Sequence, residues 1–144
     1  MSFDLNRFVK AQLNDYPQAL AEVRQGCKVS HWMWYIFPQL RGLGFSSTAV
    51  FYGIENLEEA RAYLEEPSLN HNLREITQSL LELDTSDPVR VFGSIDAKKL
   101  RSCMTLFAHA TPDNALFLQV LDKYYGGRQD RKTLELLGLQ GEAR

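Results

Sequence analysis

Cysteine is nearly absent. Only Cys27 and Cys103 occur, with no CxxC pair and no spacing that would hold a metal, so a zinc module is excluded and at most one disulfide could form. One or two reduced, partly buried thiols, the pattern of a cytosolic protein, are expected over a pairing of the two. Long apolar runs are missing as well. No uninterrupted stretch approaches the roughly 18–20 residues that span a bilayer, and the start Met1-Ser-Phe-Asp-Leu-Asn-Arg7 lacks the charged opening and apolar segment of a signal peptide. The expected compartment is the cytoplasm, with no membrane partner. A basic excess is also lacking: 16 Lys and Arg stand against 18 Asp and Glu, for a net charge of −2. That balance argues against nucleic acid as a partner.

What remains is the composition of an ordinary packed globule, 44% apolar and 24% charged over 144 residues, enough chain for one domain with its own core. Residues 1–144 read as a single domain with a frayed tail over 138–144. No sustained alternating pattern suggests strands. Helical spacing recurs instead. Leu5, Phe8, Val9 and Leu13 form one stripe. Asp15 is placed to cap a second helix, with Pro17 in its first turn and Gly26 at its end. Ser30 is placed to cap a helix over His31–Phe37 that stops at Pro38, with a short aromatic strand as the alternative. Arg41 to Ser47 reads as a loop and Thr48 to Tyr52 as a short helix.

Farther along, Asn56-x-x-Glu59 is a capping box opening Leu57 to Glu65. Pro67 starts a helix in which Leu69, Leu73, Ile76, Leu80 and Leu83 keep a 3.6-residue repeat. Pro88 to Gly93 is undecided, and Ile95 to Ala110 is helical. Thr111-Pro112 opens a helix that stops at Gly126-Gly127, and Asp130 caps a last one. The expected class is all-α, a compact multihelical domain of about eight short helices.

One stretch gathers rare residues. Lys28 to Ser47 holds both tryptophans, one of three histidines and two of nine glycines. On a helix, His31, Trp34, Tyr35 and Pro38 share one side, while Trp32, Met33, Ile36 and Phe37 lie mostly on another. An aromatic floor edged by histidine suits stacking on a planar ligand such as a nucleobase. The bland alternative makes both tryptophans core anchors with satisfied N–H groups. After Gln39, Arg41 offers a planar fork for phosphate or carboxylate. Gly42 and Gly44 let backbone N–H groups turn toward a ligand, and Ser46 and Ser47 stand at a helix start that favours an anion. The pattern matches neither a P-loop nor a dinucleotide fingerprint, and an ordinary capped loop explains it as well.

Asp96, Lys99, Ser102 and Thr105 follow at three-residue steps, either a solvated face or a hydrogen-bonding wall opposite Trp34. The candidate ligand set is therefore His31, Trp34, Tyr35, Gln39, Arg41, Gly42, Gly44, Ser47, Asp96, Lys99, Ser102 and Thr105. His31 is the candidate acid or base. His109 and Cys103 fall off a common helical face, and His71 looks superficial. Glu22, Glu58, Glu59, Glu65, Glu66, Glu75 and Glu82 read as surface charges. No metal or cofactor is implied.

The run His31-Trp-Met-Trp-Tyr-Ile-Phe-Pro-Gln-Leu-Arg-Gly-Leu-Gly44 closely resembles the hallmark of a bacterial family, domain of unknown function 1810. Supporting matches include Ala11-Gln12, Tyr16, Gly26, Tyr63-Leu64, Phe92-Gly93, Asp96, Lys99-Leu100, Ser102, Thr105-Leu-Phe107, Gly127 and Asp130. The resemblance implies a mainly helical single domain and no established activity. Members often carry the name calpastatin, which is not transferred: calpastatin's inhibitory segments are disordered until bound, and this chain has the composition of a packed fold. One departure is Cys103-Met104, where the family often has a small residue or Ser before Met, so no polar role passes to position 103.

Two functional classes stay open. One is binding, with or without hydrolysis, of a small anionic or nucleotide-like ligand of the ADP-ribose or NAD type. The other is a protein-interaction module without catalysis, since clustered aromatics and Arg also make interface hot spots. A concave site would favour the first and a flat patch the second.

Overall fold

Eight helices run through residues 3–139, the part of the chain described by the structure, a computed structural model. They are α1 (Asn6–Arg24), α2 (Met33–Ile36), α3 (Ser47–Tyr52), α4 (Leu57–Glu65), α5 (Pro67–Leu81), α6 (Pro88–Ala108), α7 (Ala115–Tyr125) and α8 (Arg131–Leu137). The all-α expectation holds. Among the described residues the only extended pairing is one parallel bridge between Leu40 and Ile54. No helix there is long and apolar enough to cross a membrane.

α6 is the central element. From Ser102 to Ala108 every residue is buried, so this segment is covered on all sides rather than along one stripe. It packs on α4, α7 and α8, while α5 packs on α1, α4 and α7, and α2 lies between α1 and α3. The largest fully buried side chains are Trp32, Tyr63, Phe8, Phe37, Phe107 and Phe117. Edge-on contacts such as Phe8–Tyr63 and Phe37–Phe92 order them, the geometry that ring quadrupoles favour.

Several helix ends follow local chemistry. Asn56 Oδ1 accepts from the Glu59 N–H at 2.9 Å, Asp130 caps Thr133, and Pro67 stands at the start of α5 behind Glu66. Gly126 takes the left-handed conformation that ends α7. Other expectations are corrected. Pro17 does not start a second helix but lies inside α1. It sits on the exposed side with Leu13, and the buried stripe Phe8, Tyr16, Ala19 and Val23 carries the helix across it, so packing outweighs the lost hydrogen bond. Asp15 caps nothing and instead accepts from the Tyr35 hydroxyl.

The helix expected over His31–Phe37 shrinks to one turn, and Ser30 is not its cap. α7 opens at Ala115 rather than beside Pro112, because Asn114 donates its side-chain amide to the Ala108 carbonyl and holds the turn. The undecided Pro88–Gly93 becomes the first part of α6, capped by Asp87 and bent at Gly93, whose φ of 82° breaks the helix. Cys27 is exposed and Cys103 buried, both free. Of the expected frayed tail, Gly138 closes α8 in a left-handed conformation, and residues 140–144 lie outside the described residues.

Candidate functional site

α2 has only one turn, too short to stand alone, so it is held from outside. Glu22 of α1 does most of this. Its Oε1 accepts from the Val29 N–H at 2.8 Å, the Ser30 N–H at 2.9 Å and the Trp32 indole N–H at 2.9 Å. Its Oε2 accepts from the Ser30 hydroxyl at 2.7 Å and the Gln18 amide at 3.0 Å. Glu22 is thus a buried hub rather than the surface charge its sequence position suggested. Burial alone would raise its pKa, but the donors of Ser30, Val29 and Trp32 outweigh that and hold it at about 2. On the other side, Gln12 donates to the Tyr35 carbonyl at 2.8 Å and the Tyr63 hydroxyl at 2.9 Å, and accepts from Asn72.

Glu59 is the other glutamate corrected from surface to interior. It pairs with Arg7 at 2.9 Å, both side chains nearly inaccessible, and also accepts the Glu55 N–H. Arg7 in turn donates to the Phe51 and Gly53 carbonyls, fixing the end of α3.

Held this way, α2 buries Trp32, Met33, Ile36 and Phe37 and leaves Trp34 partly exposed. Trp34 is the wall shared by two clefts. The first, about 340 Å³, is lined by Lys28, His31, Trp34, Gly93, Ile95 and Asp96 among others. The second, about 470 Å³, is lined by Trp34, Gln39, Gly44, Phe45, Ser102 and a rim of Lys98, Lys99, Lys132 and Asp130. The Gly93 bend restarts α6 beside Trp34, and the Lys28 N–H donates to the Val91 carbonyl at 2.7 Å, tying the loop before α2 to that bend.

Asp96 joins the clefts electrostatically. Its Oδ2 lies 2.8 Å from Lys28 Nζ and its Oδ1 lies 3.5 Å from Lys99 Nζ. Lys28 also stands 5.0 Å over the Trp32 ring, and Lys99 stands 5.0 Å over Trp34, within cation–π range. Across both clefts four lysines face two aspartates. The site is cationic in a chain whose net charge is −2.

A family model matches residues 2–137. The chain belongs to the family described as protein of unknown function (DUF1810). The chain is also similar to the conserved hypothetical protein Rv1873 from Mycobacterium tuberculosis, whose crystal structure was solved at 1.38 Å. The identity is 50%, the match covers 94% of this chain and 97% of that one, and the TM-score is 0.93. No curated protein matches.

In this DUF1810 chain the fold brings together His31, Trp34 and Asp96 in the first cleft, and Trp34, Gln39, Gly44, Lys99 and Ser102 in the second. The other candidates lie elsewhere. Arg41 is exposed and donates to the Val50 carbonyl at 3.1 Å, lining neither cleft. Tyr35 turns to Asp15 and packs on Tyr52 at 5.1 Å. Gly42 faces the Leu136 side chain. Ser47 is exposed, and the cap of α3 is Ser46, which accepts from the Ala49 N–H. Thr105 is fully buried, donating to the Arg101 carbonyl and accepting from the Asp130 N–H at 2.8 Å. It acts at a distance by seating the start of α8, which brings Asp130 and Lys132 to the second cleft.

Gly44 is needed for packing rather than for a ligand, because a Cβ there would fall 2.8 Å from the Ala49 Cβ. Sequence reasoning missed Lys28, Lys98, Asp130, Lys132, Phe45 and Ile95 as lining residues. Lys28 and Phe45 lay inside the Trp-rich stretch and Lys98 beside the polar stripe, so those three had a signal. Asp130 and Lys132 had none.

Proposed function

We propose that this protein binds a small anionic, nucleotide-like ligand, of the class that includes ADP-ribose and NAD derivatives, in the clefts on either side of Trp34. The observation that carries the reading is the contrast in how the two indoles are used. Trp32 is 1% exposed and spends its N–H on Glu22. Trp34 is partly exposed at the junction of two clefts. Clefts of a few hundred Å³ with aromatic walls and a few convergent polar groups are the usual form of small-ligand sites. The lysine rim suits phosphate, and the indole suits a planar group. If the ligand is also turned over, His31 is the histidine placed in the first cleft to move a proton.

A second reading rests on one observation. Phe45 is 87% exposed and Ile95 71% exposed, and both border the second cleft, as the lips of a protein-binding groove would. A thermal-shift screen of nucleotides, NAD metabolites and nucleobases separates the two. Saturation at a hundred times Kd adds about 2.7 kcal/mol, a rise of roughly 5–11 °C for a domain of this size. A stabilising compound whose effect disappears in Trp34→Ala and persists in Arg41→Ala supports the first reading. No shift with any of these compounds rejects it in favour of a partner on Phe45 and Ile95.

A further inference from the structure

Resting on the reading above, we infer that the two clefts are unequal halves of one site for a nucleoside phosphate. The second cleft takes the phosphate on Lys98, Lys99 and Lys132. The first recognises a hydrogen-bond donor of the nucleoside, a sugar hydroxyl or an exocyclic amine, through Asp96 Oδ1.

The argument starts from the two lysines on Asp96. Lys28 is fixed: its side chain is 7% exposed, it lies 2.8 Å from Oδ2 and it stands over the Trp32 ring. Lys99 is held loosely. Its contact to Oδ1 is 3.5 Å, beyond the 2.7–3.2 Å range of an N–H···O hydrogen bond, and it borders the second cleft, where Lys98 and Lys132 stand exposed. Three ammonium groups there face one carboxylate, Asp130, so the cleft is short of negative charge. A phosphate entering it draws Lys99 away from Asp96 and onto itself. Oδ1 then loses its cation while Oδ2 keeps Lys28, leaving an oriented carboxylate oxygen in the first cleft with a free lone pair.

That oxygen accepts from a neutral donor, and Trp34 stands between the two halves as the surface for the base. Phosphate binding thus prepares the donor site, and the two ends of the ligand bind cooperatively. Free phosphate lacks the donor and a free nucleoside lacks the trigger. The phosphorylated nucleoside alone satisfies both.

The test is calorimetric titration of the whole protein with inorganic phosphate, the four common ribonucleosides and their 5′-monophosphates, at low salt. Wild-type protein is expected to bind at least one monophosphate more than about tenfold tighter than either the matching nucleoside or phosphate. Lys98→Ala with Lys132→Ala, both exposed and away from the core, should weaken that monophosphate by about tenfold or more. Asp96→Asn should weaken the monophosphate while leaving inorganic phosphate unchanged or tighter, since a negative charge beside the anion is gone. Lys99→Met gives a check that does not disturb Lys28. With Oδ1 already free the nucleoside should bind tighter, so the advantage of the monophosphate should narrow while Lys98 and Lys132 still hold the phosphate.

The inference is overturned if Asp96→Asn weakens phosphate and monophosphate equally, or if the lysine double variant binds as wild type does. Trp34-dependent binding that ignores both variants would leave the Trp34 reading standing and remove only this division of labour. If no compound of this panel binds wild type, the division of labour fails. The Trp34 reading itself then stands or falls on the wider screen.

Discussion

Trp32 and Trp34 sit two residues apart, the first just before the one-turn helix α2 and the second within it, and the molecule treats them in opposite ways. Trp32 packs against Phe37 and Phe92 and gives its N–H to a buried carboxylate. Trp34 lies on the open side, with Lys99 over its ring and a cleft on each flank. The same residue type therefore anchors a core at one position and borders a binding space at the other. What separates them is Glu22, which draws Val29, Ser30 and Trp32 inward and by doing so turns Trp34 outward. A tryptophan-rich signature is thus half packing and half access, and only the access half is a candidate for function.

The largest blow to the packing half is Trp32→Ala. Removing a fully buried tryptophan costs about 3–5 kcal/mol, and it also deprives Glu22 of a donor. Urea unfolding should show a large fall in midpoint, and an unchanged midpoint would mean that the indole is not the anchor described. Glu22→Gln comes next, at about 2–3 kcal/mol, because an amide nitrogen must face a donor where a carboxylate accepted five hydrogen bonds. This variant also carries a pH signature. Glu22 in the fold sits at about 2, below its ordinary 4.5, so its contribution is full above about pH 4.5 and is lost as pH falls toward 2. The stability gap between wild type and Glu22→Gln should therefore narrow over that acid range, and a constant gap would show that the charge is not what matters.

Smaller effects belong to the open side. Trp34→Ala should cost about 1–2 kcal/mol, below the Trp32 value, because the ring is only partly covered, yet it should abolish any ligand shift. Gly44→Ala should cost a similar amount, since the added Cβ meets Ala49 at 2.8 Å and α3 must move. Arg41→Ala should change stability by no more than about 0.5 kcal/mol and leave ligand binding intact. A loss of binding in Arg41→Ala would place the site on the far side of the loop and undo the contrast between the two indoles.

Much of the helical scaffold was legible because it is local. The repeat Leu69, Leu73, Ile76 and Leu80 lies within one helix, and Asn56 and Asp130 cap their own first turns. The grouping of Trp32, Met33, Ile36 and Phe37 on one side of the signature was legible too, but not that this side is the buried one, and Pro38, expected beside Trp34, is buried as well. Arg41 misled because a guanidinium beside glycines has the chemistry of an anion site, and nothing local reveals that it bends back to Val50. Pro17 misled because its local rule is to break helices, and the buried stripe around it overrules that rule.

By itself, then, the amino-acid sequence determined the all-α class, most helix positions, the family and the stretch that matters, since each depends on neighbours a few residues apart. The tertiary structure alone decided which tryptophan is buried, that Glu22 is a hub, and that Lys28, Asp96, Lys99 and Lys132 meet around Trp34. Those facts depend on pairing α1 with α2 and on seating α6 and α8 beside them. Such pairings are set by the packing of residues far apart in the chain, and no local pattern records them.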